Sequence, residues 1–255
     1  MRKAIAAAKD GKKLNRNKRK KGELDGLYLI LLCALAFFLF CSALSGDIRD
    51  AGLMAYELGC SLLPWVIALA LAGRYRERQG TAMVNGSRWV WMALFGLYLA
   101  LAFQVTGAGT LWEALYHGIS LVGGEVNLIP FSQGISPLGY ALNLLLGMPL
   151  GFLLPLLWER LNRPGAILVS GLAFSLLIEL SQLCNLRATD VDDLIMNTLG
   201  TVLGWLAFRL FTCLARWKPE QQLRWPVGPA QTVALVFLGR FLLYRGSWLA
   251  WLLYG

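Results

Sequence analysis

Charge is scarce in this chain: 15% of its 255 residues are charged, against about 25% in a soluble domain. Histidine is scarcer, with His117 alone, and zinc wants three or four ligands. None of the five cysteines (Cys33, Cys41, Cys60, Cys184, Cys213) forms a C-x-x-C pair. They read as small apolar fillers of the runs they lie in or beside. No nucleophile elbow, P-loop or H-E-x-x-H is present, which removes the commonest hydrolase, nucleotide and metalloprotease signatures. No internal repeat is visible either.

What is abundant is apolar surface. Hydrophobic residues make up 57% of the chain and mean hydropathy is +0.55. A membrane span needs about 20 mostly apolar residues. Leu27–Ser45, Ala51–Ala72, Trp89–Thr106, Leu138–Leu157, Ala166–Leu183 and Leu194–Cys213 qualify. Pro229–Leu253 is long enough for a seventh, with Arg240 near its middle. An arginine there costs about 2.5–3.5 kcal/mol unless it is partnered. Either Arg240 pairs with a buried carboxylate, or the segment breaks at Gly239-Arg240. The expected fold is all-α, a polytopic transmembrane bundle of six or seven spans.

The net charge of +9 is uneven, with ten of the 24 Lys and Arg between Arg2 and Lys21. A basic tail beside an apolar run points to an anionic membrane face rather than to nucleic acid, at roughly 1 kcal/mol per basic residue. The first apolar run is too long, and the tail too extended, for a signal peptide. Nor is Phe38-Leu39-Phe40-Cys41 a convincing lipidation site. Arg74, Arg76, Arg78 and Arg88 follow the second span, Arg160 and Arg163 the fourth, and Arg216, Lys218 and Arg224 the sixth. The loop 107–137 holds neither Lys nor Arg. This alternation places the N-terminus inside. Nine of the 15 acidic residues then fall outside or at outer span ends. Cys60 and Cys184 fall there too, which leaves room for one disulfide.

Polar residues concentrate in three places. The densest is Glu179-Leu-Ser-Gln182, Arg187-Ala-Thr-Asp190-Val-Asp192-Asp193, then Asn197-Thr198. Glu179 and Gln182 share a helix face. If the next helix starts near Thr189, then Asp190, Asp193 and Asn197 share another. Thr189-x-x-Asp192 reads as a capping arrangement. Glu179 lies inside an apolar helix, where a carboxylate calls for a partner; Arg187 and Arg240 are the candidates. The second place is Asn127-Leu-Ile-Pro130-Phe131, a turn fixed by Asn127 and held extended before Pro130. Its apolar residues suit re-entry at the membrane edge. The third is Asn143 on one face with Gly147-x-x-x-Gly151, matched by Gly200-x-x-x-Gly204; such glycines permit close helix packing. Leu111–His117 reads as a short interfacial amphipathic helix.

These motifs, in this order and spacing from Trp89 to Cys213, resemble the VanZ-like family of bacterial membrane proteins. Leu186 stands where members often carry glycine, and Glu125 where they often carry a basic residue. The resemblance implies a cell-envelope protein of the bacterial cytoplasmic membrane and a link to low-level resistance to teicoplanin-type glycopeptides. The chain then divides into a basic cytoplasmic tail (1–26), two extra transmembrane helices (27–88), a VanZ-like core (89–213), and a cytoplasmic linker with a C-terminal membrane segment (214–255).

The candidate binding site is an outward-facing cluster of Glu179, Gln182, Arg187, Asp190, Asp193, Asn197, Asn127 and Asn143. Arg187 suits a phosphate or carboxylate. The carboxylates would either hold Arg187 or bind a cation, so a divalent cation has a place although no cofactor is predicted. The expected partners are membrane lipids, a wall precursor or a glycopeptide antibiotic, with no nucleic acid. The main expectation is a binding or modulating protein. The alternative is a membrane-embedded enzyme acting on a lipid-linked phosphate or wall precursor, and a transporter or scaffold is a third.

Overall fold

The computed structural model describes residues 48–79, 86–117, 126–132, 134, 136–185, 187, 189–215 and 225–254. The basic tail, the expected Leu27–Ser45 span, Glu125, Leu186 and the linker 216–224 lie outside the described residues. What is described is nearly all helix: α1 (Ile48–Arg78), α2 (Gly86–Val105), α3 (Leu111–His117), α4 (Pro137–Leu157), α5 (Pro164–Gln182), α6 (Val191–Leu214), α7 (Pro229–Leu243) and α8 (Gly246–Tyr254). Two short strands, β1 (Val126–Asn127) and β2 (Thr189–Asp190), pair in parallel.

Four helices are long and apolar enough to cross a membrane: Asp50–Arg76, Pro137–Leu157, Pro164–Gln182 and Val191–Leu214. A fifth crossing is available if Pro229–Leu243 and Gly246–Leu252, bent by 50°, act as one broken span. Four or five of the expected six or seven spans are therefore present among the described residues. Trp89–Val105 is apolar but shorter. At about 1.5 Å per residue it rises roughly 25 Å, less than the ~30 Å hydrocarbon core. The break in the last segment falls after Leu243, not at Gly239-Arg240.

The tightest helix pair is α4 with α6, and glycine is the cause. A Cβ on Gly147 or Gly151 would strike the carbonyls of Asn197 and Thr201; one on Gly200 or Gly204 would strike those of Leu144 and Met148. The two Gly-x-x-x-Gly stripes thus face each other, backbone on backbone. A second close approach joins α7 to α1. Pro64 deprives the Cys60 carbonyl of its helical donor, and Gly239 packs onto that carbonyl and onto Ser61's. Helix α2 runs through the middle, where Phe95, Phe103 and Met92 are fully buried. Phe103 contacts Phe174 of α5 and Phe237 of α7. Cys60, Cys184 and Cys213 are all free thiols, so the Cys60–Cys184 disulfide is absent.

Candidate functional site

Helices α4 and α6 begin, and α5 ends, at the same arginine-poor end of the bundle. There the polar residues of all three meet. Asn197 Nδ2 donates to Ser175 Oγ at 3.1 Å, pinning α6 to α5. One turn further out on each helix come Asp193 and Glu179. Asn143 of α4 reaches across to donate to Asp193 Oδ1. Glu179, only 3% exposed, accepts at Oε2 from the Asp190 backbone N–H at 3.1 Å. Its own carbonyl accepts from Thr189 Oγ1.

Helix α6 starts at Val191, and its cap is Asp190, whose side chain accepts from the Asp192 N–H. The expected Thr189-to-Asp192 capping arrangement is therefore replaced. Thr189 is already committed to Glu179, and Asp192, itself buried, is taken by the Asn127–Ser132 turn and Tyr140. Asp192 accepts from the Phe131 N–H at 2.9 Å and from the Tyr140 hydroxyl at 2.7 Å. Asn127 donates to Asp190 at 3.1 Å while its Oδ1 accepts from Ile129 N–H and Ser132 Oγ. With the β1–β2 pairing, these bonds clamp the Asn127–Ser132 turn onto the start of α6. Phe131 sits at φ 60°, costly for a side chain of its size and held by Asp192 and by its edge-on contact with Tyr140. Leu128, Ile129 and Phe131 are left exposed.

The expected arginine partners of Glu179 lie elsewhere. Arg240 pairs with Glu57 of α1 at 2.7 Å, both buried, and also donates to the Ala108 carbonyl. Glu57 Oε2 accepts from Gln104 at 3.2 Å. The buried-carboxylate alternative for Arg240 thus describes it, but the carboxylate is Glu57. Arg187 is exposed, and its Nη1 donates to the Thr106 carbonyl at 2.8 Å. Gln182 Nε2 donates to that same oxygen at 2.9 Å. Asn185 holds the Gly107 carbonyl. Gly107 is obligatory: its φ is +63°, and a Cβ would collide with the Arg187 guanidinium. Among the described residues, no Lys or Arg pairs with Glu179, Asp190, Asp192 or Asp193.

Residues 89–212 match the VanZ/LLP1 family model. The chain carries a VanZ-like region over these residues. Comparison with curated proteins and with solved structures finds no match. The VanZ-like stretch carries every residue of the cluster just described, from Asn127 to Asn197. Its several apolar helices make it a multi-pass membrane protein. Helices α1 and α7, which hold the Glu57–Arg240 pair, lie outside it.

The geometry brings together Asn127, Asn143, Glu179, Asp190, Asp193 and Asn197. Gln182 and Arg187 stand beside them, on the α2–α3 connection. The sequence reading passed over Tyr140, Ser175 and Thr106, and gave Asp192 a capping role only. Two of these had a signal: Tyr140 lies three residues before Asn143, and Ser175 four before Glu179, each on the same helix face. Thr106 contributes only its carbonyl, which no side-chain pattern reveals. Among the described residues, no three His, Cys, Asp or Glu side chains are arranged to hold a metal ion. Chemically, the arrangement offers a buried, acceptor-rich cluster flanked by the exposed Arg187 and an exposed apolar turn.

Proposed function

We propose that this VanZ-like protein sits in the bacterial cytoplasmic membrane with its N-terminus inside. Its cluster at the arginine-poor end faces outward and binds an amphipathic envelope component: a lipid, a wall precursor or a glycopeptide. Through that binding it modulates susceptibility to teicoplanin-type antibiotics. The orientation rests on the arginine-rich loops, which stay on the cytoplasmic side. The carrying observation is the clamp of the Asn127–Ser132 turn. Asp190 and Asp192 fix a turn whose Leu128, Ile129 and Phe131 side chains are exposed beside a carboxylate cluster. An apolar edge held rigidly next to a polar cluster fits a ligand that is itself half apolar.

The test is a susceptibility assay in cells expressing wild type, Glu179→Gln and Asp193→Asn at matched membrane levels. Both variants are expected to shift teicoplanin susceptibility toward that of cells lacking the protein. If both match wild type, the site is wrongly placed.

A further inference from the structure

The ligand's chemistry can be narrowed, on the reading that this cluster binds an envelope component. An acidic cluster next to an arginine ordinarily neutralises itself, and here it does not. Arg187 is turned away to the Thr106 carbonyl. Arg240 is consumed by Glu57. Both signs of charge are therefore presented side by side. Arg187 Nη1 and Gln182 Nε2 share one acceptor, so guanidinium and amide are neighbours. Gln182 in turn shares a face with Glu179, three residues earlier.

Two buried atoms point the same way. Gln182 Oε1 and Asn197 Oδ1 have no hydrogen-bond partner among the described residues, and their residues are only 7% and 4% exposed. The amide orientation of Gln182 is fixed by its partner. Gln182 must turn its Nε2 to the Thr106 carbonyl. Asn197 turns its Nδ2 to Ser175 Oγ at 3.1 Å, which leaves Oδ1 as its unpaired atom. Both orphan atoms are acceptors, and leaving such a group unsatisfied typically costs about 1–3 kcal/mol. The cluster thus asks for N–H donors and positive charge, while the guanidinium beside it asks for an anion.

We propose that the site takes a zwitterionic headgroup, with its anionic phosphate on Arg187 and its primary ammonium among Glu179, Asp193 and the orphan amide oxygens. A primary ammonium brings three donors; a quaternary one brings none. Phosphate and ammonium two carbons apart span a reach comparable with one helical turn of about 5.4 Å. An aminophospholipid such as phosphatidylethanolamine has this chemistry, as does free ethanolamine phosphate.

The experiment is lipid titration of the purified full-length protein in detergent, read by native mass spectrometry. Phosphatidylethanolamine, phosphatidylcholine and phosphatidylglycerol with the same acyl chains are compared. Phosphatidylethanolamine is expected to bind at least about ten-fold tighter than the other two. Glu179→Gln should abolish that preference, and Arg187→Gln should weaken phosphatidylethanolamine and phosphatidylglycerol alike. Arg187 is exposed, so its variant keeps the test alive if Glu179→Gln fails to fold. Competition by ethanolamine phosphate would assign the free headgroup as sufficient; binding without competition would assign the lipid. Equal binding of all three lipids to wild type, or a preference that survives Glu179→Gln, overturns the proposal. If susceptibility shifts in the site variants without lipid preference, the zwitterion inference fails and the parent reading stands. If lipid preference holds without any susceptibility shift, the reverse is true.

Discussion

Removing Arg240 should cost more than any other single polar change in the described chain, and removing Glu57 with it should restore much of the loss. Arg240 is 6% exposed and Glu57 7%. Two guanidinium nitrogens converge on one carboxylate oxygen, with Nη2 at 2.7 Å and Nε at 2.9 Å from Glu57 Oε1. It also satisfies the Ala108 carbonyl. Arg240→Met leaves the Glu57 carboxylate with the Gln104 amide as its side-chain donor. Breaking one partner out of a buried pair typically costs about 3–5 kcal/mol. At about 1.4 kcal/mol per decade, that is a shift of two to three and a half decades in the folding equilibrium. The double change Glu57→Met with Arg240→Met removes both charges, so it should recover most of that loss, since apolar replacement of a whole pair is often neutral. Reversible unfolding in mixed micelles of rising denaturing-detergent content, run on the four proteins of the cycle, measures the coupling. An Arg240→Met cost below about 1 kcal/mol, or a double variant no better than the single, would refute the assignment of a buried pair joining α1 to α7.

Three further outcomes follow from the packing and the clamp. Gly151→Ala and Gly204→Ala force a methyl into the facing backbone and should each destabilise by about 1–3 kcal/mol, whereas Gly165→Ala, with open space around it, should be neutral in the same unfolding assay. Asp192→Ala removes the acceptor of both Phe131 N–H and Tyr140 OH, so hydrogen exchange at residues 128–132 should rise at least ten-fold while α6 stays protected. A single Leu128→Cys in a protein with its native cysteines replaced should react with a membrane-impermeant maleimide on intact cells, and Tyr75→Cys only after lysis; the opposite pattern would invert the orientation.

The helices were legible in the sequence because apolar run length is a strong signal, and Ala51–Ala72, Leu138–Leu157, Ala166–Leu183 and Leu194–Cys213 each fall within a residue or two of a helix or inside one. The Gly-x-x-x-Gly stripes announced close packing, but nothing in their spacing said that they pack on each other rather than on third helices. Polar partners were harder to read. Glu179 pointed to Arg187 by nearness in the chain and to Arg240 by shared burial. Arg187 failed because its acceptor is not a side chain but the Thr106 carbonyl at the end of α2; Arg240 failed because it meets Glu57, a carboxylate far away in the sequence, with the Ala108 carbonyl beside it. The cap failed for a related reason. Thr189 has the right residue type, but its hydroxyl is drawn to the last turn of α5, a tertiary contact that outweighs local preference.

The parallel run of α4 and α6 has a consequence for assembly. Their glycine stripes are some fifty positions apart in the chain, and α5 is made between them. While the chain is being inserted, α4 must wait with its bare stripe uncovered until α6 follows. Asp190, Asp192 and Asp193 all lie at the start of that later helix, so the polar cluster has no carboxylate but Glu179 until α6 docks. Closure of the long-separated pair is then the slow step, as it is for contacts distant in sequence generally. A nascent chain arrested before Asp190 would hold α4 and α5 without the carboxylates that complete the cluster.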